Sequence, residues 1–237
     1  MVEVELLNWS GINSVYISAE GSKLTADDLR TNKIRHEEIV KMLVENDYSS
    51  ALEHIWFTFR IKCSIACQRQ VLEHRIASHT TRSTRYCRED ARDICFPEEF
   101  TQKLTDEDKE RIFAVLNSVT ETYNYLEHKY GREFARYLLP LGLQTEFIWT
   151  INARSLINFL GLRLCVRASP EIRELAKKVH EIVKKLVPEI FENVGCRGVN
   201  LGVCPENEAR PKNCPYRNKI PTKKEIKKTW YHEGGKQ

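Results

Sequence analysis

The chain has 237 residues, of which 41% are hydrophobic and 30% are charged, a balance that excludes global disorder. This length suits one large domain or two small ones. No apolar run approaches the roughly 18 residues of a membrane-spanning helix. The first ten residues lack the basic and apolar regions of a signal peptide, so the sequence predicts a cytoplasmic protein without a membrane partner.

The formal net charge of +4 comes from the C-terminal end. Residues 206–237 contain nine Lys or Arg and four Asp or Glu, a net of +5, so residues 1–205 together carry −1. Nucleic-acid-binding proteins usually carry positive charge on a folded surface. Nucleic acid is therefore an unlikely partner, and the basic segment 223–231, which includes two aromatic residues, is the one place where it could bind.

In the N-terminal half, residues 26–46 have the apolar spacing of a helix. Apolar residues alternate with others over Glu53–Cys63, which predicts a strand with one face toward the core. Ser64 is expected to cap a following helix that reaches about Leu72. Residues 74–86 then break the pattern, because they are rich in Ser, Thr and Arg and poor in core residues.

In the C-terminal half, Thr105 and Asp108 resemble a capping box that opens a long helix. The core stripe predicted for that helix consists of Phe113, Leu116, Val119 and Tyr123. The remaining predicted elements are a helix over 132–139, a strand over 147–151, a helix over 153–164 and a helix from Pro170 to Leu186 capped by Ser169. Long helices with at least two strands and no regular βαβ rhythm predict an α+β fold in a single domain.

The composition changes after Pro188, where prolines and lysines become frequent. We therefore predict a folded domain over residues 1–205 and a basic tail rich in Pro and Lys over residues 206–237. Three of the eight cysteines, Cys196, Cys204 and Cys214, cluster near this boundary. In a reducing compartment they are scattered thiols or metal ligands, and a disulfide clip is the third possibility.

Two polar segments are candidates for ligand binding. Residues 70–86 combine two histidines, three arginines and five Ser or Thr hydroxyl groups, which together can receive a phosphate, although a solvated loop has a similar composition. In residues 149–163, polar side chains recur every third position, at Asn152, Ser155 and Asn158, along an otherwise apolar helix. Such groups need partners, and a bound polar ligand can supply them.

At these segments the sequence resembles the flavin-dependent thymidylate synthase family. The signature of that family is Arg-His-Arg, seven residues and Ser, and Glu73-His74-Arg75 followed by seven residues and Ser83 reproduces it with one change. The resemblance covers roughly residues 26–205. Its other blocks are LEHIWFTF before the signature, QRQ just upstream of it, STRY at its end, ARYLLPL at 135–141, WTINARSLINFLGLR at 149–163 and EIRELA at 171–176.

The resemblance implies a fold of helices packed around a mostly antiparallel sheet. It also implies a homotetramer with sites shared between subunits. The implied reaction moves a methylene group from methylene-tetrahydrofolate to C5 of dUMP, giving dTMP, with FAD as redox cofactor and NADPH as reductant. The implied nucleotide-binding residues are Gln70, Thr81, Ser83, Thr84, Arg85, Arg136 and Arg163. The implied flavin-binding residues are Ser50, His74, Arg75, Asn152, Arg154 and Asn158, and no metal ligand is implied.

The chemistry of these residues suits the roles. Arg85 and Arg136 are permanent cations that can bind a phosphate with two parallel hydrogen bonds. Arg163 can stabilise negative charge that develops on the uracil, an effect typically worth about 3–4 kcal/mol. Arg163 and Ser83 are therefore the catalytic candidates, Ser83 as an orienting hydroxyl. A competing interpretation is a cysteine-nucleophile synthase that uses Cys87.

The chain departs from the family pattern at several places, including residues 78–81 and an early ARxS block that is not recognisable here. Glu73 replaces the first arginine of the signature, and residues 167–171 read RASPE where HAQWE is usual. Two alternatives to thymidylate synthesis therefore stay open. One is a paralogue that acts on another pyrimidine nucleotide, and the other is a protein that binds flavin and nucleotide without this activity.

Overall fold

The computed structural model describes residues 1–23, 36–46 and 49–233. The strands are β1 (Glu3–Trp9), β2 (Trp56–Ser64), β3 (Ala77–Thr81) and β4 (Gln144–Asn152). The helices of the first 140 residues are α1 (Asn13–Lys23), α2 (His36–Glu45), α3 (Ile65–Leu72), α4 (Glu98–Thr101), α5 (Asp106–Tyr130) and α6 (Arg132–Ala135). The later helices are α7 (Ala153–Arg163), α8 (Pro170–Leu186), α9 (Pro188–Phe191), α10 (Arg197–Leu201) and α11 (Lys223–Glu233). Short 3₁₀ turns cover Ser49–His54, Arg136–Leu138 and Asn207–Ala209.

The described strands form a four-stranded antiparallel sheet in the order β1-β2-β4-β3. The alternation along β2 is confirmed, because Phe57, Phe59 and Ile61 are completely buried and the residues between them are at least partly exposed. On the other face of the sheet, the hydroxyls of Thr58 and Thr150 share a hydrogen bond of 3.0 Å. The predicted α+β class with a mostly antiparallel sheet is therefore confirmed.

The chain divides into two compact units. The first unit contains Met1–Leu7, Thr58–Thr150 and Pro170–Leu175, and the second contains Asn8–Phe57, Ile151–Ser169 and Ala176–Gln237. In the core of the first unit, the rings of Phe59 and Trp149 lie 6.0 Å apart. In the core of the second, Phe57 meets Phe191 edge to face at 5.7 Å. Each unit thus has its own aromatic core.

The start of α3 is capped from two directions. Ser64 is the N-cap residue, as predicted, and its hydroxyl accepts a hydrogen bond of 3.0 Å from the Cys67 backbone N–H. The carboxylate of Glu171, at the start of α8, accepts hydrogen bonds from the Ser64 backbone N–H at 2.7 Å and from the Ser64 hydroxyl at 2.5 Å. Glu171 therefore accepts the N-cap backbone N–H of α3 from another helix. In a capping box, a glutamate of the same helix accepts this hydrogen bond.

Several predicted boundaries change in the structure. β2 begins at Trp56, because the residues before it form the 3₁₀ turn Ser49–His54. The helix predicted over 132–139 is split into α6 and a 3₁₀ turn. The helix predicted over 26–46 is present as α2 in its described part, and residues 24–35 lie outside the described residues. Ser169 precedes α8, but its side chain makes no capping hydrogen bond.

The core stripe predicted for α5 is wrong in part. The capping box at Thr105 and Asp108 is present, with both hydrogen bonds formed. Tyr123 is buried, but Leu116 and Val119 are only half-buried and Phe113 is 59% exposed. The helix therefore presents apolar side chains to its surroundings. None of the described helices combines the length and the apolar character needed to cross a lipid bilayer.

Candidate active site

The signature segment folds into strand β3 and the tight turn that follows it, in the first unit. Thr81 ends the strand, and the Ser83 backbone carbonyl accepts hydrogen bonds from the N–H groups of Tyr86 and Cys87. The Ser83 hydroxyl also accepts a hydrogen bond of 3.3 Å from the Arg85 backbone N–H. Ser83 therefore shapes the turn that presents Arg85.

Arg82 fastens this turn to the first unit. Its guanidinium donates to Glu89 at 2.8 Å, and its backbone N–H donates to the Glu146 carbonyl at 3.0 Å. The hydrogen bond to Glu89 raises the pKa of Arg82 above its usual value. Arg82 and Arg85 both have exposed side chains, and Arg85 is the one that lines the neighbouring cleft.

Arg85 lines an open cleft of about 500 Å³ in the first unit. The cleft is also lined by Glu127, Arg132 and Glu133. Arg85 donates to Glu133 at 3.1 Å, and Arg132 donates to Glu127 at 2.7 Å and to the Tyr86 carbonyl at 2.6 Å. Sequence reasoning missed Arg132, which ties the turn to the end of α5. Arg132 lies outside the family motifs, so only the tertiary structure shows that it belongs to this cleft.

The other predicted residues of the first unit lie on three elements. Gln70 and His74 are half-buried at the end of α3 and just after it, and Arg75 is exposed. Thr84 is half-buried in the turn after β3. Arg136 begins the 3₁₀ turn after α6, where its guanidinium lies 5.6 Å from the centre of the Tyr137 ring. Arg136 is not among the residues that line the cleft at Arg85.

In the second unit, α7 carries the second polar segment. Asn152 is buried at its N-cap, where the side-chain oxygen accepts a hydrogen bond of 2.8 Å from the Ser155 backbone N–H. The side-chain oxygen of Asn152 is thus satisfied by the backbone of its own helix. Asn158 is exposed on the next turn, and Arg163 is half-buried at the last residue of the helix.

Arg154 and Asn158 line one cleft of about 470 Å³ in this unit. Its apolar wall comes from α2, α7, α9 and the segments beside them, and includes Leu43, Leu52 and Ile190. Arg154 forms an ion pair with Glu53, and Ser49, the neighbour of the predicted Ser50, also lines the cleft. The polar lining also includes residues that were not predicted: Lys41, Glu45, Glu189, Asn193, Arg197 and Asn200.

A model of the family described as thymidylate synthase complementing protein matches residues 11–189, about three quarters of the chain. The chain belongs to this family. The flavin-dependent thymidylate synthase of Pyrococcus horikoshii is 38% identical over 175 residues, which are 70% of this chain and 72% of that protein. The flavin-dependent thymidylate synthase of Pyrococcus furiosus is 33% identical over 222 residues, 89% of this chain and 88% of that protein.

A solved structure has the same fold as this member of the flavin-dependent thymidylate synthase family. It is the UMP/dUMP methylase PolB from Streptomyces cacaoi bound with 5-Br dUMP, which superposes with a TM-score of 0.64 at 23% identity. The superposition covers 81% of this chain and 94% of that one. At this level of identity the likeness establishes the shared fold.

The chemistry of the second-unit cleft fits part of a flavin dinucleotide. A flavin ring needs an apolar wall with a few amide groups at its polar edge, and a pyrophosphate needs cations. The cleft supplies apolar residues from several elements, the amide of Asn158 and the guanidinium of Arg154. Its volume of about 470 Å³ lies within the usual range for ligand sites. The residues present therefore fit the cofactor that gives the family its name.

Proposed function

We propose that this chain is a FAD-dependent thymidylate synthase that converts dUMP to dTMP. The observation that carries the proposal is the signature segment, which is retained with one change and forms a turn that presents Arg85 to an open cleft. The identity of 33–39% to flavin-dependent thymidylate synthases supports the same conclusion.

In this proposal, Arg85 binds the phosphate of dUMP, and Gln70, Thr81, Ser83, Thr84 and Arg136 complete the nucleotide site. Arg85 is paired with Glu133 at 3.1 Å, and both side chains are about half exposed. An exposed ion pair of this kind is worth only about 0–1 kcal/mol. A phosphate dianion can therefore replace Glu133 as the partner of Arg85 at little cost.

Arg163 has the catalytic role in this proposal. When C5 of the uracil attacks the one-carbon unit, negative charge develops on N3 and the carbonyl oxygens of the ring. A fixed guanidinium beside these atoms stabilises that charge more than it stabilises the neutral ring, so it lowers the barrier. Ser83 orients the nucleotide, and no cysteine nucleophile is needed, since flavin chemistry can relay the carbon unit and the hydride.

The cofactor is FAD, held by Ser50, His74, Arg75, Asn152, Arg154 and Asn158, and when bound it supplies hydride transfer. Methylene-tetrahydrofolate provides the carbon at the oxidation level of formaldehyde. Two further electrons are required to reach a methyl group, and NADPH supplies them. The overall reaction then consumes dUMP, methylene-tetrahydrofolate, NADPH and a proton, and releases dTMP, tetrahydrofolate and NADP⁺.

We expect four chains to assemble, with the sites shared between subunits. The long helix α5, the short helix α6 and the 3₁₀ turn after it expose large apolar side chains, among them Phe113, Phe134 and Tyr137. Large exposed apolar side chains of this kind favour contacts with another protein surface. A second copy of the same chain is the partner that the family resemblance implies.

The proposal is tested by titrating the purified protein with FAD and then titrating the FAD complex with dUMP or UMP. We expect micromolar binding of FAD and a change of the flavin spectrum with dUMP. Arg154→Ala should weaken FAD binding and Arg85→Ala should weaken dUMP binding, each by about tenfold or more, which corresponds to about 1.4 kcal/mol.

The matched control is Arg111→Ala, because Arg111 is also an exposed arginine paired with a glutamate, Glu107. This variant should bind both ligands as the unaltered protein does. Failure to bind FAD at micromolar concentration would contradict the proposal. A preference for UMP over dUMP would favour the paralogue that acts on another pyrimidine nucleotide.

A further inference from the structure

Four cysteines of the second unit line a single cavity of about 160 Å³. They are Cys165, Cys196, Cys204 and Cys214. Cys204 is buried and the other three are half-buried, and all four are free thiols. Three of them, Cys196, Cys204 and Cys214, already lie close together in the sequence. The fourth, Cys165, lies just after α7, about 30 residues away in the chain, and the fold brings it to the same cavity.

The backbone holds these thiols in place. Cys204 forms a parallel bridge with Thr222, in which its N–H donates to the Pro221 carbonyl at 2.8 Å and its carbonyl accepts from Lys223 at 3.1 Å. Cys214 lies in a turn that begins at Pro211, whose carbonyl accepts its N–H at 3.2 Å. The segment after Cys204 thus returns to the cavity wall.

Gly198 lies where two of the cysteines approach. A Cβ atom at this position would be 3.5 Å from the Cβ of Cys204 and 3.8 Å from the Sγ of Cys196. Both are ordinary van der Waals distances, so Cys196 and Cys204 both lie close to Gly198.

A buried cation points to an anionic occupant. Arg210 lines the cavity and is 93% buried, with a relative exposure of 7%. Its guanidinium donates to the carbonyls of Arg217 and Ile220, but its Nε has no hydrogen-bond partner. Among the described residues, no carboxylate lies within ion-pair distance of it. The charge of Arg210 helps to lower the pKa of Glu225, but its buried Nε–H still lacks an acceptor, and an anion in the cavity would supply one.

Metal-bound thiolates supply that anion. Cysteine thiols lose their protons when they bind a metal, and a centre with four thiolates carries net negative charge. A free N–H such as that of Arg210 Nε can then donate to a sulfur of the centre. Glu206 also lines the cavity, but its carboxylate is paired with Arg167.

The spacing of the thiols favours a cluster over a single ion. In a zinc site each sulfur lies about 2.3 Å from one ion, so the four sulfurs are about 3.8 Å from one another. Within residues 1–23, 36–46 and 49–233, one group of three or more metal-ligating atoms lies within 4.8 Å of one another. It consists of Cys63, Cys67 and Glu171, and it includes none of the cavity cysteines. Among the described residues, no three of the four cavity thiols meet this criterion, so they are not preset around one zinc ion. A [4Fe–4S] cluster, in which each cysteine binds a different iron, suits more widely spaced thiols.

We infer that Cys165, Cys196, Cys204 and Cys214 bind a [4Fe–4S] cluster in this cavity, with Arg210 as its buried counter-charge. The cluster fastens the segment 204–222 to the end of α7. Gly161 and Arg197 line both this cavity and the proposed flavin cleft, so the cluster also supports one wall of that cleft. The inference rests on the cysteines and Arg210 and does not depend on thymidylate synthesis.

Metal analysis of the full-length protein, purified without oxygen, tests this inference. We expect iron and acid-labile sulfide in equal amounts, about four of each per chain, and the Mössbauer signal of a [4Fe–4S] cluster. About one zinc per chain without sulfide would overturn the cluster in favour of a mononuclear site. Absence of bound metal, even after anaerobic incubation with ferrous iron, sulfide and a thiol, would overturn any metal site here.

Single substitutions locate the cluster. Cys165→Ser and Cys214→Ser should each reduce the iron content by more than half, while Cys87→Ser, which alters a half-buried thiol of the other unit, should leave it unchanged. Circular dichroism identifies any variant that fails to fold. The iron and sulfide content of the unaltered protein tests the presence of the cluster even if a variant does not fold. Unchanged iron in folded Cys165→Ser and Cys214→Ser proteins, or equal loss in Cys87→Ser, would contradict the assigned ligands.

Discussion

Individual arginines of the proposed sites are already paired with glutamates. Arg85 meets Glu133, and Arg154 meets Glu53. Each ion pair is exposed, so each holds its arginine near the cleft without binding it strongly. Phosphate groups of the ligands can replace the glutamates as the ion-pair partners of both arginines.

Glu73, the residue that departs from the family signature, is exposed at the C-terminal cap of α3. Arg69 lies one helical turn before it, but within the part of the chain that the structure describes the two residues form no ion pair. Because an exposed charge is screened by water and salt, we expect Glu73→Arg to change the dissociation constant of dUMP by less than about threefold.

Calorimetric titration with dUMP measures this effect, with Glu121→Arg, an exposed position on α5, as the control for added positive charge. A rise in dUMP affinity of tenfold or more in Glu73→Arg alone would mean that Glu73 selects against dUMP. The proposed substrate would then be incorrect.

The environment of His79 makes the free energy of unfolding depend on pH. It is half-buried in β3 beside the Trp149 ring, its Nε2 has no hydrogen-bond partner, and burial lowers its pKa. Below about pH 6.5 the unfolded chain therefore takes up a proton at this residue that the folded chain does not. The free energy of unfolding should decrease as the pH falls from about 7.5 to 5.5.

Urea denaturation at both pH values measures this dependence. His79→Gln should show a smaller decrease than the unaltered protein, and His128→Gln, at an exposed position of α5, should behave like the unaltered protein. An identical decrease in all three proteins would show that His79 does not contribute.

At the scale of single elements, the cap of α3 by Glu171 gives a stability prediction. Glu171→Ala removes the acceptor for two hydrogen bonds from Ser64 and leaves a buried backbone N–H without a partner. Hydrogen bonds to a charged group and the cost of the orphaned N–H together suggest a loss of about 2–4 kcal/mol in the free energy of unfolding. Chemical denaturation measures it, with Glu181→Ala on the same helix as control. Equal losses in the two variants would refute the capping role.

Helices and strands with a regular spacing of apolar residues could be predicted from the sequence. A polar strand at the edge of the sheet could not. β2 and α8 have regular apolar spacing, because each buries one face along its length. β3 reads ASHTT and lies at the edge of the sheet, so no alternation marks it. The apolar stripe of α5 misled the prediction of its core, because Phe113 in that stripe is exposed.

The types of the site residues could be predicted from the sequence, but their neighbours could not. The family motifs indicated Arg85, Arg154 and Asn158, and the structure adds the clefts that these residues line. The pairing of Arg85 with Glu133 joins residues 48 positions apart. The approach of Cys165 to the C-terminal cysteines is equally non-local. Such contacts depend on tertiary packing, which spacing along the chain does not reveal.

For the whole molecule, we expect light scattering to give four times the chain mass at working concentration. Phe113→Asp places a charge on an exposed apolar position of α5 and should reduce this mass if the helix lies in an interface between copies. A monomer that retains full activity would contradict the proposed tetramer.

We expect this chain to methylate dUMP at C5 by flavin chemistry. The most direct test is to incubate the protein with FAD, NADPH, dUMP and methylene-tetrahydrofolate labelled at the methylene carbon, and to identify the nucleotide product by mass spectrometry. We expect dTMP that carries the label on its methyl group. Its formation should depend on FAD, and it should be lost in Arg163→Ala but retained in Cys87→Ser. Recovery of unaltered dUMP from protein that has bound FAD would contradict it.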